Sequence, residues 1–301
     1  MKNSFKSFIL LLLTAVIVSS FNLSVIAKDK LKPEEIVAKN LESIGTKEKR
    51  AEIKNQVVLC SLDLTVRGAT TPVSGQAVIA SSGEKSLWGM NFSSNDYPMD
   101  TYSFNGKDTK VGFVKPGVRS VLGEFIYNYK ELIREGLLGG TLSTSWALNY
   151  TDTKKPKLSY DGEKKIDGKD TYILDYSPKS GSDLSIKMYF DQKTFQHIRT
   201  EYNRVISARI STTGNGQGDT RINASAGQGS DRYHLVEDFS DFQKLNGITI
   251  PRAYKLYYSY FSDTVVQSAQ KKNSEVEWKF TVTNASFNQA LDDNSFEIAG
   301  S

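Results

Sequence analysis

Apolar and polar residues alternate along much of the chain beyond residue 55, which is the pattern of half-buried β-strands. The first such segment places Val58, Cys60 and Leu62 on one face and Ser61 and Asp63 on the other. The same alternation predicts eight further strands, at residues 75–80, 85–92, 101–104, 171–176, 184–190, 195–205, 254–260 and 276–285. A long series of short strands with few helical segments between them predicts a fold based on a β-sheet.

Dipeptides suited to tight turns separate several of these segments. They are Asn105-Gly106, Asp161-Gly162, Asp167-Gly168 and Asn246-Gly247. Asn, Asp and Gly tolerate the positive φ angles that two-residue hairpin turns require, so each dipeptide predicts an antiparallel hairpin. The expected fold class is therefore mainly β (α+β), built on a curved antiparallel sheet.

Two segments have helical periodicity instead. Residues 33–44 begin with Pro33 and two acidic residues and end before Gly45, which are typical signals of helix termini. Residues 127–138 alternate apolar and charged positions at helical spacing and precede two glycines, which predicts a second short amphipathic helix. Its apolar residues are Leu132, Ile133, Leu137 and Leu138. A helix inserted between strands has to bury this apolar side, so we expect it to cover one face or one mouth of the sheet.

The first 27 residues have the order of a secretory signal peptide. Lys2 and Lys6 precede an apolar run, and small residues lead to Ala27. The run is far shorter than the ~20 residues that a membrane-spanning helix needs. We therefore expect cleavage after Ala27 and a mature chain of residues 28–301. Nothing in its composition marks a second domain, so it is predicted to form one domain, with residues 211–230 as a flexible Gly/Ser-rich loop.

The charge balance argues against nucleic acid as a partner. The full chain has 38 Lys and Arg and 34 Asp and Glu, and loss of the two signal-peptide lysines leaves 36 against 34. A nearly neutral chain lacks the excess of cations that dominates affinity for a phosphate backbone. The single cysteine, Cys60, cannot form an internal disulfide, so an exported domain has to rely on its apolar core.

No motif points to catalysis, a cofactor or a metal. Gly214, Gly216 and Gly218 are followed by Asp219 and Thr220, whereas a phosphate-binding loop needs Lys followed by Ser or Thr. The Gly-x-Ser-x-Gly elbow of α/β-hydrolases is absent from the sequence. We therefore expect a protein that is not an enzyme and that holds no cofactor and no metal.

The remaining polar candidates are interpreted as structural. His197 and His234 have no His or Cys at metal-ligand spacing, which is typical of surface or edge-strand histidines. Acidic residues crowd two regions and are interpreted as turn formers and solvated faces: Asp161, Glu163, Asp167, Asp170 and Asp175, and then Glu237, Asp238 and Asp241. The many aromatic residues of the strands are expected to be mainly core, although on a concave sheet they could line an apolar pocket.

Several strings resemble a known family. They are ELIREGLLGGTLS (131–143), YDGEKKIDGKDTYIL (160–174), YFDQKT (189–194), FSDFQKLNGITIP (239–251), SIG (43–45) and NASFN (284–288). On these strings the chain resembles the outer-membrane lipoprotein-sorting proteins, the LolA/LolB-like family of Gram-negative envelopes. The resemblance extends over essentially the whole mature chain.

The resemblance implies an incomplete β-barrel of about 11 antiparallel strands, with helices that cover its concave apolar face. Proteins of this family hold lipoprotein acyl chains there, which implies a lid role for Leu132, Ile133, Leu137 and Leu138. The first hypothesis is thus a periplasmic carrier or sensor of lipid, acyl chains or lipoprotein, soluble after cleavage. The second is an envelope protein-interaction module with a filled core. A hydrolase is the third, and it would need two acids, or a nucleophile and a base, in one cleft.

Overall fold

The computed structural model describes residues 31–207, 230–262 and 273–298. It begins with two helices, α1 (Pro33–Ile44) and α2 (Lys47–Glu52). The helix predicted at residues 33–44 is confirmed, and the N–H of Gly45 donates to the carbonyl of Leu41 at its end. The predicted signal peptide lies outside the described residues, as does the predicted loop except for Ser230, which begins a strand.

Twelve strands form one antiparallel sheet in the described part of the chain. They are β1 (Asn55–Val66), β2 (Val73–Ser82), β3 (Lys85–Phe92), β4 (Met99–Phe104), β5 (Thr109–Val111), β6 (Lys157–Ile166), β7 (Lys169–Ser177), β8 (Ser185–Asp191), β9 (His197–Ser207), β10 (Ser230–Leu245), β11 (Ile248–Ser262) and β12 (Ser274–Phe287). Their order is β5-β4-β3-β2-β1-β12-β11-β10-β9-β8-β7-β6. The edge strands β5 and β6 do not pair with each other, so the barrel is incomplete, as predicted, with 12 strands rather than about 11.

The strands form because one face of the sheet is buried. In β1, Val58, Cys60 and Leu62 are 0–2% exposed, whereas Leu59 between them is 43% exposed. The same alternation continues across the neighbouring strands, so the period-two pattern of the sequence corresponds to a buried inner face. Aromatic residues of the strands are buried there, as expected, including Trp88, Tyr254 and Trp278.

The connection between the two edge strands crosses the open side of the barrel. Residues 112–156, which we call the cover, leave β5 at one edge of the sheet and enter β6 at the other. The cover contains α3 (Val121–Asn128), α4 (Glu131–Arg134), two 3₁₀ turns (Gly140–Leu142 and Ala147–Tyr150) and α5 (Thr151–Lys154). Topology therefore places this segment over the inner face.

The prediction of one helix at residues 127–138 is wrong. Helix α3 begins earlier, where the hydroxyl of Ser120 accepts a hydrogen bond from the N–H of Gly123. It ends at Asn128, because the φ of −124° and ψ of 62° of the next residue, Tyr129, are not helical. Helix α4 is a single turn and is followed by Gly136, whose φ is +71°. Short helices of this kind are fixed by tertiary packing, which a periodicity of apolar residues does not encode.

Three of the four predicted turn dipeptides connect strands: Asn105-Gly106, Asp167-Gly168 and Asn246-Gly247. In the last two, both residues have positive φ angles, between 47° and 87°. The prediction for Asp161-Gly162 is wrong, because both residues lie inside β6, where the pairing with β7 shifts register. An extra residue in a strand needs the same backbone freedom as a turn.

Candidate functional site

The cover fills the concave face with its own apolar side chains. The predicted site residues Leu132, Ile133, Leu137 and Leu138 are 0%, 1%, 0% and 4% exposed. Trp146, in the same segment, is fully buried and stacks on His197 of β9 with ring centroids 4.7 Å apart. The structure therefore buries all four predicted residues together. Their role in contacting a ligand remains a prediction.

A buried carboxylate on β10 fixes the middle of the cover to the sheet. Glu237 is 0% exposed, and its Oε1 accepts hydrogen bonds from the N–H of Gly139 (2.6 Å) and the hydroxyl of Tyr254 (2.8 Å). The hydroxyl of Tyr202 donates to Oε2 (2.7 Å) and also lies 2.9 Å from the carbonyl oxygen of Leu137. Two side chains of the sheet, Glu237 and Tyr202, thus each contact a backbone group of the cover.

Burial sets the protonation of this cluster. It raises the pKa of Glu237 to about 7, and the hydrogen bonds from Gly139, Tyr202 and Tyr254 reduce but do not cancel this effect. Burial also raises the pKa of both tyrosines well above the ordinary value, so their hydroxyl groups remain hydrogen-bond donors. Glu237 is therefore a group whose charge changes near neutral pH.

A second buried carboxylate holds the start of α3. Asp100 of β4 is 1% exposed, and its Oδ2 accepts hydrogen bonds from the hydroxyls of Tyr97, Tyr102 and Ser120. Burial raises the pKa of Asp100 as well. Because Ser120 is also the N-cap of α3, its hydroxyl joins the beginning of the helix to the sheet.

We expect Ser120→Ala to destabilise the protein by about 1–2 kcal/mol, because it removes the helix cap and one partner of a buried carboxylate. Urea unfolding followed by circular dichroism measures this loss. Ser120→Thr is the matched control, since it retains a hydroxyl and should lose much less. Equal midpoints for wild type and Ser120→Ala would contradict the role given to Ser120.

Two glycines allow the cover to approach the sheet closely. A Cβ atom on Gly139 would lie 2.5 Å from the ring of Trp88, and one on Gly140 would lie 3.1 Å from Nδ1 of His197. Both glycines have positive φ angles.

His197 itself is 3% exposed, and burial lowers its pKa to about 3, so it is a neutral core residue. Its interpretation as a surface or edge-strand histidine is wrong, because its side chain is buried and β9 pairs with a strand on each side.

Described residues line an aromatic cleft at one end of the sheet, with a volume of about 980 Å³. Five rings line it: Phe125 and Tyr129 of the cover region, Tyr233 of β10, and Tyr258 and Tyr260 of β11. Phe125 lies at their centre, with its ring centroid 4.8 Å from Tyr129, 5.6 Å from Tyr258 and 6.1 Å from Tyr233. Polar residues stand among the rings: Glu124, Asp183 and Arg204.

This cleft and the predicted site are different places. Leu132, Ile133, Leu137 and Leu138 are not among the described residues that line the cleft. Tyr258 and Tyr260 belong to the predicted strand 254–260, whose aromatic residues were expected to be core or pocket residues, whereas Phe125 and Tyr129 were not assigned to a site. A possible signal was the pair Phe125 and Tyr129, four residues apart, which places both rings on one side of a helix.

Three findings on the described residues bear on what the chain can do. Cys60 is a buried free thiol, and burial raises its pKa to about 12, so it is not a reactive thiolate. Among residues 31–207, 230–262 and 273–298, no group of three or more His, Cys, Asp or Glu is placed to hold a metal ion. In those same residues, no helix has the length and apolar character needed to cross a membrane.

The chain is similar to several solved structures, but its sequence matches no known family. No family model and no curated protein matches the sequence. A LolA superfamily protein of Nitrosomonas europaea is 13% identical, with 89% of this chain and 99% of that chain covered and a TM-score of 0.47. An outer membrane lipoprotein-sorting protein domain of Vibrio parahaemolyticus is also 13% identical, with 86% and 97% covered and a TM-score of 0.44.

A DUF1329 family protein of Desulfovibrio piger is similar to the same degree. It is 13% identical, with 89% of this chain and 98% of that chain covered and a TM-score of 0.44. One of these three proteins belongs to the LolA superfamily, the family that the strings in the sequence resemble. At these identities and TM-scores the likeness assigns no function, so the function is argued below from the cleft and the cover.

Proposed function

We propose that the protein is a non-catalytic carrier or sensor that binds a lipid or acyl chain in the aromatic cleft. The observation that carries this proposal is a cleft of about 980 Å³ lined by five aromatic rings at the mouth of an open barrel. Pockets of ~300–1,000 Å³ with mostly apolar walls are typical of small-molecule sites. Because each buried methylene gains ~0.8 kcal/mol, an apolar wall and an opening are sufficient for useful affinity.

The cover would control how deep such a ligand reaches. Phe125 forms part of the cleft, whereas Leu132 and Leu137 lie farther along the same cover and are fully buried. A chain longer than the cleft would have to displace these side chains, which gives the four predicted site residues a role as a lid. The bonds from Glu237 and Asp100 to the cover would oppose that displacement.

The setting of the proposed function is the periplasm. This part of the proposal is supported by the signal-like order of residues 1–27. The name of the Vibrio protein, a lipoprotein-sorting domain, is compatible with lipoprotein acyl chains as the ligand class.

Titration of the mature protein with a fluorescent fatty acid tests the proposal. We expect saturable binding that Tyr129→Ala weakens by roughly tenfold, because this change removes one ring of the cleft. Tyr127→Ala is the matched control, since Tyr127 is two residues away on α3, is 41% exposed and does not line the cleft. It should leave the affinity unchanged. Absence of saturable binding to the wild type would overturn the proposal.

A second candidate, an envelope protein-interaction module with a filled core, is favoured by one observation. Leu132, Leu137 and Trp146 of the cover leave the concave face occupied by the protein itself. Native mass spectrometry of protein purified from its own envelope separates the two candidates. Bound lipid that is released on unfolding supports the carrier. A mass equal to the bare polypeptide, together with no fatty-acid binding, supports the interaction module.

A further inference from the structure

A second cavity, of about 290 Å³, lies at the other end of the sheet from the aromatic cleft. Ile248, at the beginning of β11, lines this cavity, whereas Tyr258 and Tyr260, near the end of the same strand, line the cleft. Its walls come from α2, the start of β1 and the last third of the cover, including Trp146. We call it the donor cavity, after the Lys47, Arg50 and Trp146 side chains in its wall, which can donate hydrogen bonds but not accept them.

Two cations line the donor cavity. Lys47 and Arg50, both on α2, are lining residues, and no Asp or Glu is among the described residues that line it. The Nε of Arg50 donates to the carbonyl of Gly45 (3.2 Å), which leaves the other nitrogens of its guanidinium available. Burial lowers the pKa of Arg50 despite the nearby Glu42 and Glu48, so this guanidinium is partly desolvated.

An indole N–H in the wall lacks an acceptor. Trp146 is 0% exposed, and its Nε1 has no hydrogen-bond partner among the residues that the structure describes. The indole N–H can only donate, and an unpaired buried donor is costly. A ligand atom that accepts a hydrogen bond from this N–H would remove this cost.

We propose that the donor cavity binds an oxyanion, a carboxylate or phosphate group, which accepts hydrogen bonds from Arg50, Lys47 and the indole N–H of Trp146. The charge of the wall favours an anion, since both formal charges of its described residues are positive. Guanidinium groups match the geometry of carboxylate and phosphate oxygens. The volume is suited to a small anion or a headgroup and not to a long acyl chain.

An anion in this cavity would also tie α2 to the cover. Lys47 and Arg50 belong to α2, whereas Thr141 and Trp146 belong to the cover. The site is independent of the proposed function, because it lies at the opposite end of β11 from the aromatic cleft. Failure of fatty-acid binding in the cleft would therefore leave this inference standing, and the reverse also holds.

NMR of the indole N–H groups in the ¹⁵N-labelled mature protein tests the inference. The chain has three tryptophans, so Trp146→Phe assigns the signal of interest. We expect titration with inorganic phosphate or acetate to shift the Trp146 signal saturably and to leave the signals of Trp88 and Trp278 almost unchanged. A short-chain phosphatidylglycerol is a second probe, and a shift with the lipid alone would identify a headgroup site rather than a site for free anions.

Matched variants on one helix give the control. Lys47→Gln combined with Arg50→Gln should weaken the apparent affinity at least tenfold. Lys49→Gln should leave it unchanged, because Lys49 is on the same helix but pairs with Glu52 and does not line the cavity. No saturable shift with any of the three probes, or an equal shift in the double variant, would overturn the proposal.

Discussion

Replacement of Glu237 by Gln is expected to change how stability depends on pH by about 2.5 kcal/mol between pH 5 and pH 8. The pKa of Glu237 is raised from 4.5 to about 7 in the folded protein, mainly by burial. The folded state therefore holds the proton more tightly than the unfolded chain does. This contribution to stability is fully present below pH 4.5 and is lost as the pH rises through 7. Glu237→Gln has no carboxyl group to titrate at this position, so this loss of stability should not occur in the variant.

His197 changes the pH dependence of stability in the opposite direction. The curve of the wild type alone would therefore not reveal the contribution of Glu237. Burial lowers its pKa from 6.5 to about 3, so its contribution is present above pH 6.5 and is lost as the pH falls towards 3. The two effects offset each other between about pH 4.5 and 6.5. In Glu237→Gln, stability should consequently rise with pH over this range.

Urea unfolding at several pH values measures the effect as a difference between wild type and variant. The difference isolates Glu237, because the contribution of His197 is common to both proteins. Glu163→Gln is the control, since Glu163 is exposed on the edge strand β6 and should give parallel curves. Parallel curves of stability against pH for wild type and Glu237→Gln would show that Glu237 does not titrate as described.

Glu237 also shows what the sequence could and could not predict. Leu235, Glu237 and Phe239 alternate on β10 and are 0%, 0% and 3% exposed. This acid occupies a position of the apolar face, and the alternation alone was a usable signal. Its interpretation as a solvated turn residue is wrong, because the neighbouring Asp238 and Asp241 hid the pattern. Its partners Tyr202, Tyr254 and Gly139 are distant in sequence, so no local rule could identify them.

The predicted strand β1 and the unpredicted strand β6 differ in their burial. Strands such as β1 and β12 bury one face, and their period-two pattern is visible in the sequence. Strand β6 is an edge strand whose residues are mostly exposed, so it lacks an apolar face and was interpreted as a turn. The cover was predicted as a segment over the sheet, but its internal structure depends on close contacts, such as that of Gly139 with Trp88.

Substitution of Gly136, another close contact of the cover, is expected to cause the second large change in stability. This residue connects α4 to the apolar turn that contains Leu137, and its φ is +71°. A Cβ atom here would overlap the carbonyl oxygen of Ser145, which is backbone and cannot rotate away. Gly136→Ala should therefore cost at least about 3 kcal/mol, from left-handed strain of ~1–2 kcal/mol together with the overlap.

Gly181→Ala separates strain from overlap, because Gly181 has a φ of +82° and nothing lies within 4 Å of its Cβ position. It should cost only the ~1–2 kcal/mol of left-handed strain. Thermal unfolding of both variants gives the comparison. If the cover moves as a lid, Gly136→Ala should also bind fatty acid more tightly, because it raises the free energy of the packed cover and leaves the cleft residues unchanged. A loss of stability without any gain in affinity would show that the cover is a fixed part of the core, as the interaction module requires.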